Sequence, residues 1–239
     1  MRGFRFVGWF CLTLALLIAE EGMLVAGPLH QAVRSLDLNR FHEVLDTDPG
    51  QAMATDTFGV PALQYAAGLG SVEMVSRLLQ VGADIHGVDT RGNTALHWLV
   101  NIDPLCGIMV QPKTMKLCNL DVLPLLASAG IRIDAQNASG ETALHVAAHQ
   151  GVYGMVKALC DLGASPNVVD GVGQTPLHHA RGSHAPVVFG LLLSYGADPL
   201  HTDLLGFTPV DLASRAGNLD VLRVFERYRE TRPRHGSDE

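Results

Sequence analysis

Histidine and cysteine are the residue types in this chain best suited to metal binding or nucleophilic chemistry, with eleven of the first and four of the second. His178, His179 and His184 form the densest histidine cluster. No carboxylate or cysteine stands at ligand spacing beside them, as a zinc site would want. His97, His145 and His178 recur instead at one register of a repeating pattern, which accounts for them without a ligand. Cys11 lies in an apolar leader and Cys160 on the apolar face of a predicted helix, as a small buried hydrophobe. No C-x-x-C pair exists, so zinc-ribbon and thioredoxin-type chemistry have no support. Gly68-Leu69-Gly70 resembles a phosphate turn only faintly and falls between two predicted helices. No nucleophile elbow, Walker loop, H-E-x-x-H or kinase signature is present. These residues predict no catalytic group, no metal site and no cofactor.

The elements that carry these residues repeat. Five turn-like segments align: Asp56-Thr57-Phe58-Gly59, Asp89-Thr90-Arg91-Gly92, Asn137-Ala138-Ser139-Gly140, Asp170-Gly171-Val172-Gly173 and Asp203-Leu204-Leu205-Gly206. Successive segments lie 33, 48, 33 and 33 residues apart, so one interval carries 15 inserted residues. A fixed period of this size means stacked structural units. After the turns come Thr94-Ala95-Leu96-His97, Thr142-Ala143-Leu144-His145 and Thr175-Pro176-Leu177-His178. Pro61-Ala62-Leu63-Gln64 and Thr208-Pro209-Val210-Asp211 are degenerate copies. Thr suits a helix N-cap, and Pro suits the first helical position. A second helix follows in each unit, with apolar residues at helical spacing such as Val75, Leu78 and Leu79. It ends at glycine, as in Gly82-Ala83-Asp84, where a left-handed cap is needed.

Period, signature and glycine positions together resemble the ankyrin-repeat family over residues 28 to about 230. The resemblance implies an all-α solenoid of about six helix-turn-helix units with β-hairpin-like tips. The units run at about 28–55, 56–88, 89–136, 137–169, 170–202 and 203–235, inside a domain spanning 27–239. The outer two are expected to be caps with more polar faces. Two departures stand out. The third unit contains the insertion, spread over 102–120, which reads either as a functional loop or as a disordered one; its apolar Ile108, Met109, Val110 and Met115 favour contact, with a partner or with the protein's own surface. The fifth unit has Arg181-Gly182-Ser183-His184 where the family has Ala-x-x-Gly.

The resemblance also implies binding of another protein through the tips and the first-helix surface. Carried over, the tip positions are Thr57, Phe58, Thr90, Arg91, Ala138, Ser139, Val172, Leu204 and Leu205. Phe58, Val172, Leu204 and Leu205 are more apolar than a solvated turn requires. Leu204 and Leu205 could equally pack locally. Arg91 is the best single hot-spot candidate, because arginine is enriched among them. Tyr65, Trp98, Val146, His179 and Leu212 share one register and are expected in the core. Asn137-Ala138-Ser139 matches a glycosylation acceptor, but Asn also fits the turn.

Residues 1–26 form a separate object. Arg2 and Arg5 precede Phe6–Ala19, fourteen residues without a charge. A positive start followed by an apolar run of this length reads as a secretory signal. No site has small residues at both −3 and −1. An uncleaved membrane anchor and a cytosolic start at Met23 therefore stay open beside export to a secreted or periplasmic space. In an oxidising compartment Cys106 and Cys118 are expected to form a disulfide. The formal charge of −7 and the missing basic stripe argue against nucleic acid as a partner. A monomer is expected.

Overall fold

The computed structural model describes residues 27–101, 120–180 and 185–231. The leader, Cys106 and Cys118, the insertion up to residue 119, the 181–184 turn and the 232–239 tail lie outside the described residues.

Among the described residues, twelve α-helices and one 3-10 turn follow in pairs. They are α1 Pro28–Arg34, α2 Leu38–Thr47, the 3-10 turn Pro49–Met53, α3 Ala62–Gly68, α4 Val72–Gln80, α5 Ala95–Val100, α6 Leu123–Ser128, α7 Ala143–Gln150, α8 Tyr153–Asp161, α9 Pro176–His179, α10 Ala185–Ser194, α11 Pro209–Arg215 and α12 Leu219–Thr231. Among the described residues there is no strand, and the expected hairpins are tight turns, with one isolated bridge between Thr55 and Pro61. The architecture is an all-α solenoid. Helices this short are marginal alone, so packing against neighbours must supply their stability.

That packing is continuous. One buried apolar cluster runs from Leu29 through Leu78, Leu126, Leu159 and Leu192 to Phe225. Small residues such as Ala66, Ala67, Ala147 and Ala148 are fully buried and let adjacent first helices approach closely. At the C-terminal end, α12 buries Val221 and Phe225 and exposes Asp220, Arg223, Glu226 and Arg227. The outer face of this last described helix is thus polar.

The recurring Thr and His residues form a hydrogen-bonded ladder through the stack. Thr94 donates its backbone N–H to His97 Nδ1 at 3.2 Å, and its hydroxyl lies 2.9 Å from the same nitrogen. Thr142–His145 and Thr175–His178 repeat this geometry. Because Nδ1 accepts, the proton sits on Nε2. Each Nε2 donates to a carbonyl of the next unit: His97 to Glu141, His145 to Gln174 and His178 to Phe207, at 2.9, 3.0 and 3.1 Å. His30 reaches Val60 and Gln64 reaches Asn93 in the same way. In the last unit Asp211 takes the histidine position, accepting from the N–H and hydroxyl of Thr208. A carboxylate has no proton to pass on, and the ladder stops there.

The turn between α1 and α2 is an exception to its counterparts. Leu36 adopts φ +54° where Gly70, Gly151 and Gly217 carry φ values of +69°, +72° and +70°. All four make the same pair of turn hydrogen bonds, such as Leu36 N–H to Val33 and Asp37 N–H to Ala32. A side chain with positive φ stores about 1 kcal/mol or more of strain.

Candidate functional site

Each tip is built on its first residue. Asp56 Oδ1 accepts the N–H groups of Phe58 and Val60, both at 2.9 Å. Asp89, Asn137, Asp170 and Asp203 do the same two and four residues on. These bonds lock the turn shape without using the tip side chains. Backbone bonds then join neighbouring tips: Ala138 N–H to Arg91 C=O, Gly171 N–H to Ser139 C=O and Leu204 N–H to Val172 C=O, at 2.8, 2.8 and 3.1 Å. The approach is close enough that a Cβ on Gly140 would sit 2.6 Å from the Gly171 nitrogen.

The side chains left over point to solvent. Thr57, Phe58, Thr90, Arg91, Ala138, Ser139, Val172, Leu204 and Leu205 are all exposed. Phe58 and Val172 keep 53% and 55% of their surface, and Leu204 and Leu205 keep 77% and 79%. A Cβ on Gly173 would meet Leu204, yet neither leucine is buried at the last described unit.

The register of Tyr65, Trp98, Val146, His179 and Leu212 meets the expectation of a core position only in part, with Tyr65 and Val146 packed against the core. Only His179 is buried, and the other four are half-buried. They floor the concave side between first helices and tips. Three use a polar atom to reach the second oxygen of their own tip aspartate. Tyr65 Oη donates to Asp56, Trp98 Nε1 to Asp89 and His179 Nε2 to Asp170, at 2.8, 3.0 and 2.8 Å. The Tyr65 and Trp98 rings meet edge to face with centroids 5.0 Å apart. The repeat period aligned these residues, but the apolar Val146 and Leu212 in the same column hid the polar contact.

Burial works to raise the Asp89 carboxyl. Hydrogen bonds from Asn93, Trp98 and the Arg91 N–H outweigh it and hold the group below the usual carboxylate range. Asp170 follows the same balance, with Gln174, His179 and Val172 as donors. Burial also pushes the Cys160 thiol up to about 11, so it stays protonated and inert at neutral pH. Asn137 spends its side-chain oxygen on Ser139 and Glu141, and its amide nitrogen donates to Asn93. It serves the turn.

Between the third and fourth tips and α5 and α7 lies an open hollow of about 320 Å³. Arg91, Asn93, Asn101, Ser139, Glu141 and His149 are among its walls. Of these, sequence reading singled out only Arg91 and Ser139, because the hollow exists only when two units stack. Among the described residues, no group of three His, Cys, Asp or Glu side chains converges as metal ligands, and no helix is long and apolar enough to cross a membrane.

The surface is therefore a row of rigid tips over a half-polar concave floor. A family model described as ankyrin repeats, in three copies, matches residues 29–105 and 114–203, which is more than half of the chain. The gap between the two stretches falls inside the inserted segment. With the 33-residue period, the Thr–His ladder and the stacked helix pairs, this match shows that the chain belongs to the ankyrin-repeat family.

Proposed function

We propose that the chain binds one partner protein across its tips and concave floor, acting as a monomeric scaffold, inhibitor or stabiliser in an exported compartment. One observation carries the binding reading. Nine tip side chains are free of the turn's own hydrogen bonding and exposed, with Phe58, Val172, Leu204 and Leu205 all more than half exposed. Apolar groups held on rigid turns lose little entropy on binding, which favours association. The family is one of protein-interaction modules, and nothing in the described surface assembles a catalytic set.

Export is supported by the sequence of the leader, with Arg2 and Arg5 ahead of an uncharged run. A second reading, an uncleaved anchor holding the repeats at a bilayer, draws on the same run and on the lack of small residues at the cleavage positions.

The test is expression of the full-length chain in its native host, followed by fractionation and intact mass. A photo-crosslinking residue at position 58 or 205 then captures the neighbour. A mature chain shortened by about the length of the leader, in a soluble exported fraction, supports export. A full-length chain in the membrane fraction supports the anchor, and a soluble cytosolic chain beginning at Met23 overturns both. Crosslinks from the tips to one protein, absent from a residue placed on the outer face of α8, support the binding reading. Equal labelling from both faces overturns it.

A further inference from the structure

The hollow between the third and fourth units has walls that differ in what they offer. Asn93 Oδ1 accepts from Asn137 Nδ2 at 3.0 Å, and Asn101 Oδ1 accepts from Gln150 Nε2 at 3.1 Å. Asn137 Oδ1 accepts two backbone N–H groups, at 2.9 and 3.0 Å. All three carboxamide oxygens are thus engaged. What remains for a visitor is a set of donors. Asn101 Nδ2 has no acceptor among the described residues, and Asn93 Nδ2 donates one hydrogen to Asp89 and keeps a second. The Ser139 hydroxyl is exposed beside them. Arg91 stands on the rim, exposed, and no carboxylate among the described residues pairs with it, although Arg77, Arg223 and Arg229 each have one. The one carboxylate in the walls, Glu141, already has partners of its own: Oε2 accepts from Asn137 at 3.4 Å and Oε1 lies 4.0 Å from His179 Nδ1.

We infer that this hollow receives the carboxylate of an Asp or Glu side chain carried on an extended segment of the partner. The carboxylate pairs with the Arg91 guanidinium and accepts from Asn101 Nδ2 and Asn93 Nδ2. The inference rests on the proposal that this face binds protein, and it adds the partner's chemistry. An amide or apolar visitor leaves the guanidinium without a counter-charge, and a lysine is repelled by it. A carboxylate matches the fork geometry of arginine, with the stronger, charge-assisted hydrogen bonds.

The experiment selects linear peptides from a random-sequence phage-displayed library on the full-length chain. Binding is then mapped by NMR on the labelled protein. Peptides that shift the Arg91 Nε–H and Asn101 side-chain amide signals are expected to contain Asp or Glu. Changing that acid to its amide should weaken binding roughly tenfold or more. Arg91→Glu, with an unchanged thermal midpoint, should lose these peptides and select basic ones. Peptides that map to the hollow without an acid, or that bind Arg91→Glu equally well, overturn the inference and leave protein binding at this face intact. Peptides that map only elsewhere, or no peptides at all, overturn both. Asp103 is the nearest acid in sequence outside the described residues. If Asp103→Asn moves the Arg91 signal in the free chain, the chain fills its own hollow and the inference fails.

Discussion

His97 and Glu141 are 44 residues apart, and a single hydrogen bond of 2.9 Å joins them across the unit boundary that follows the insertion. The imidazole holds its own helix start through Nδ1 and the next unit through Nε2. His97→Ala should therefore cost about 2–4 kcal/mol, because it leaves the Thr94 N–H and the Glu141 carbonyl without partners. His97→Gln should cost less, since Gln64 already makes the forward bond in the second unit. Urea midpoints of the three proteins check this. Equal losses for Ala and Gln would show that packing, not the bond, is what matters.

The ladder needs neutral imidazoles, and that gives the fold a pH dependence. Burial lowers His30, His97, His145 and His178 from 6.5, and His145 falls to about 4. The unfolded chain therefore binds more protons than the folded one below 6.5. The stability is fully present above that value and is lost as pH falls towards the folded values. At pH 5, His145 alone should remove about 2 kcal/mol relative to neutral pH. Chemical denaturation at both pH values checks the slope, which should be shallower in His145→Gln. A flat profile would mean that the ladder tolerates charge.

The second unit has a fault that the other units explain. Pro61 stands where threonine usually sits and has neither an N–H nor a hydroxyl. Gln64 Oε1, buried at that position, has no partner. Pro61→Thr should supply the donors and raise stability by about 1 kcal/mol. Pro61→Ala, which restores the N–H alone, should recover part of that. Thermal midpoints decide it, and a loss in both variants would show that the proline's rigidity outweighs the missing bonds.

Leu36→Gly is expected to stabilise the first unit. Its φ of +54° is one that glycine adopts freely, and the 39% exposure means little packing is given up. The gain should be about 1 kcal/mol, reduced by the greater freedom of glycine in the unfolded chain. A drop in the urea midpoint would sink the strain argument.

Gly140 and Gly206 separate two costs of adding a methyl group. Both have positive φ, +77° and +80°, but only Gly140 is crowded by the next tip. Gly206→Ala should cost about 1 kcal/mol from backbone strain alone. Gly140→Ala should cost that plus roughly 1–3 kcal/mol for forcing two tips apart. Equal losses would mean that the tips slide freely on one another.

Much of this was legible in the sequence. The period, the threonine and histidine positions and the tip glycines each reflect a local requirement repeated several times, so residues 56–59 and 203–206 align by inspection. What could not be read is contact between units. Asn101 at the C-terminal cap of α5 and Ser139 on the next tip meet at one hollow only because α5 and α7 stack across an insertion. The contacts of Tyr65, Trp98 and His179 with their tip aspartates could not be read, because alignment reports equivalence and is silent on where a polar atom points. Gln64 looked like an ordinary degenerate histidine. Its unpaired oxygen follows from a neighbour three residues earlier, Pro61, which the alignment marks as a departure without showing which donors are lost.

Asp211 bears on how many units such a chain can hold. An extra copy of the fourth or fifth unit, spliced between its neighbours, would find a proton offered from behind and a carbonyl waiting ahead. A copy appended after Thr231 would instead bring its carbonyl up to a carboxylate, two acceptors with nothing between them. Repeat number in this chain is thus open to editing in the interior and closed at the carboxyl end. Evolution or an engineer could lengthen it there only by first exchanging Asp211 for a residue that carries a hydrogen.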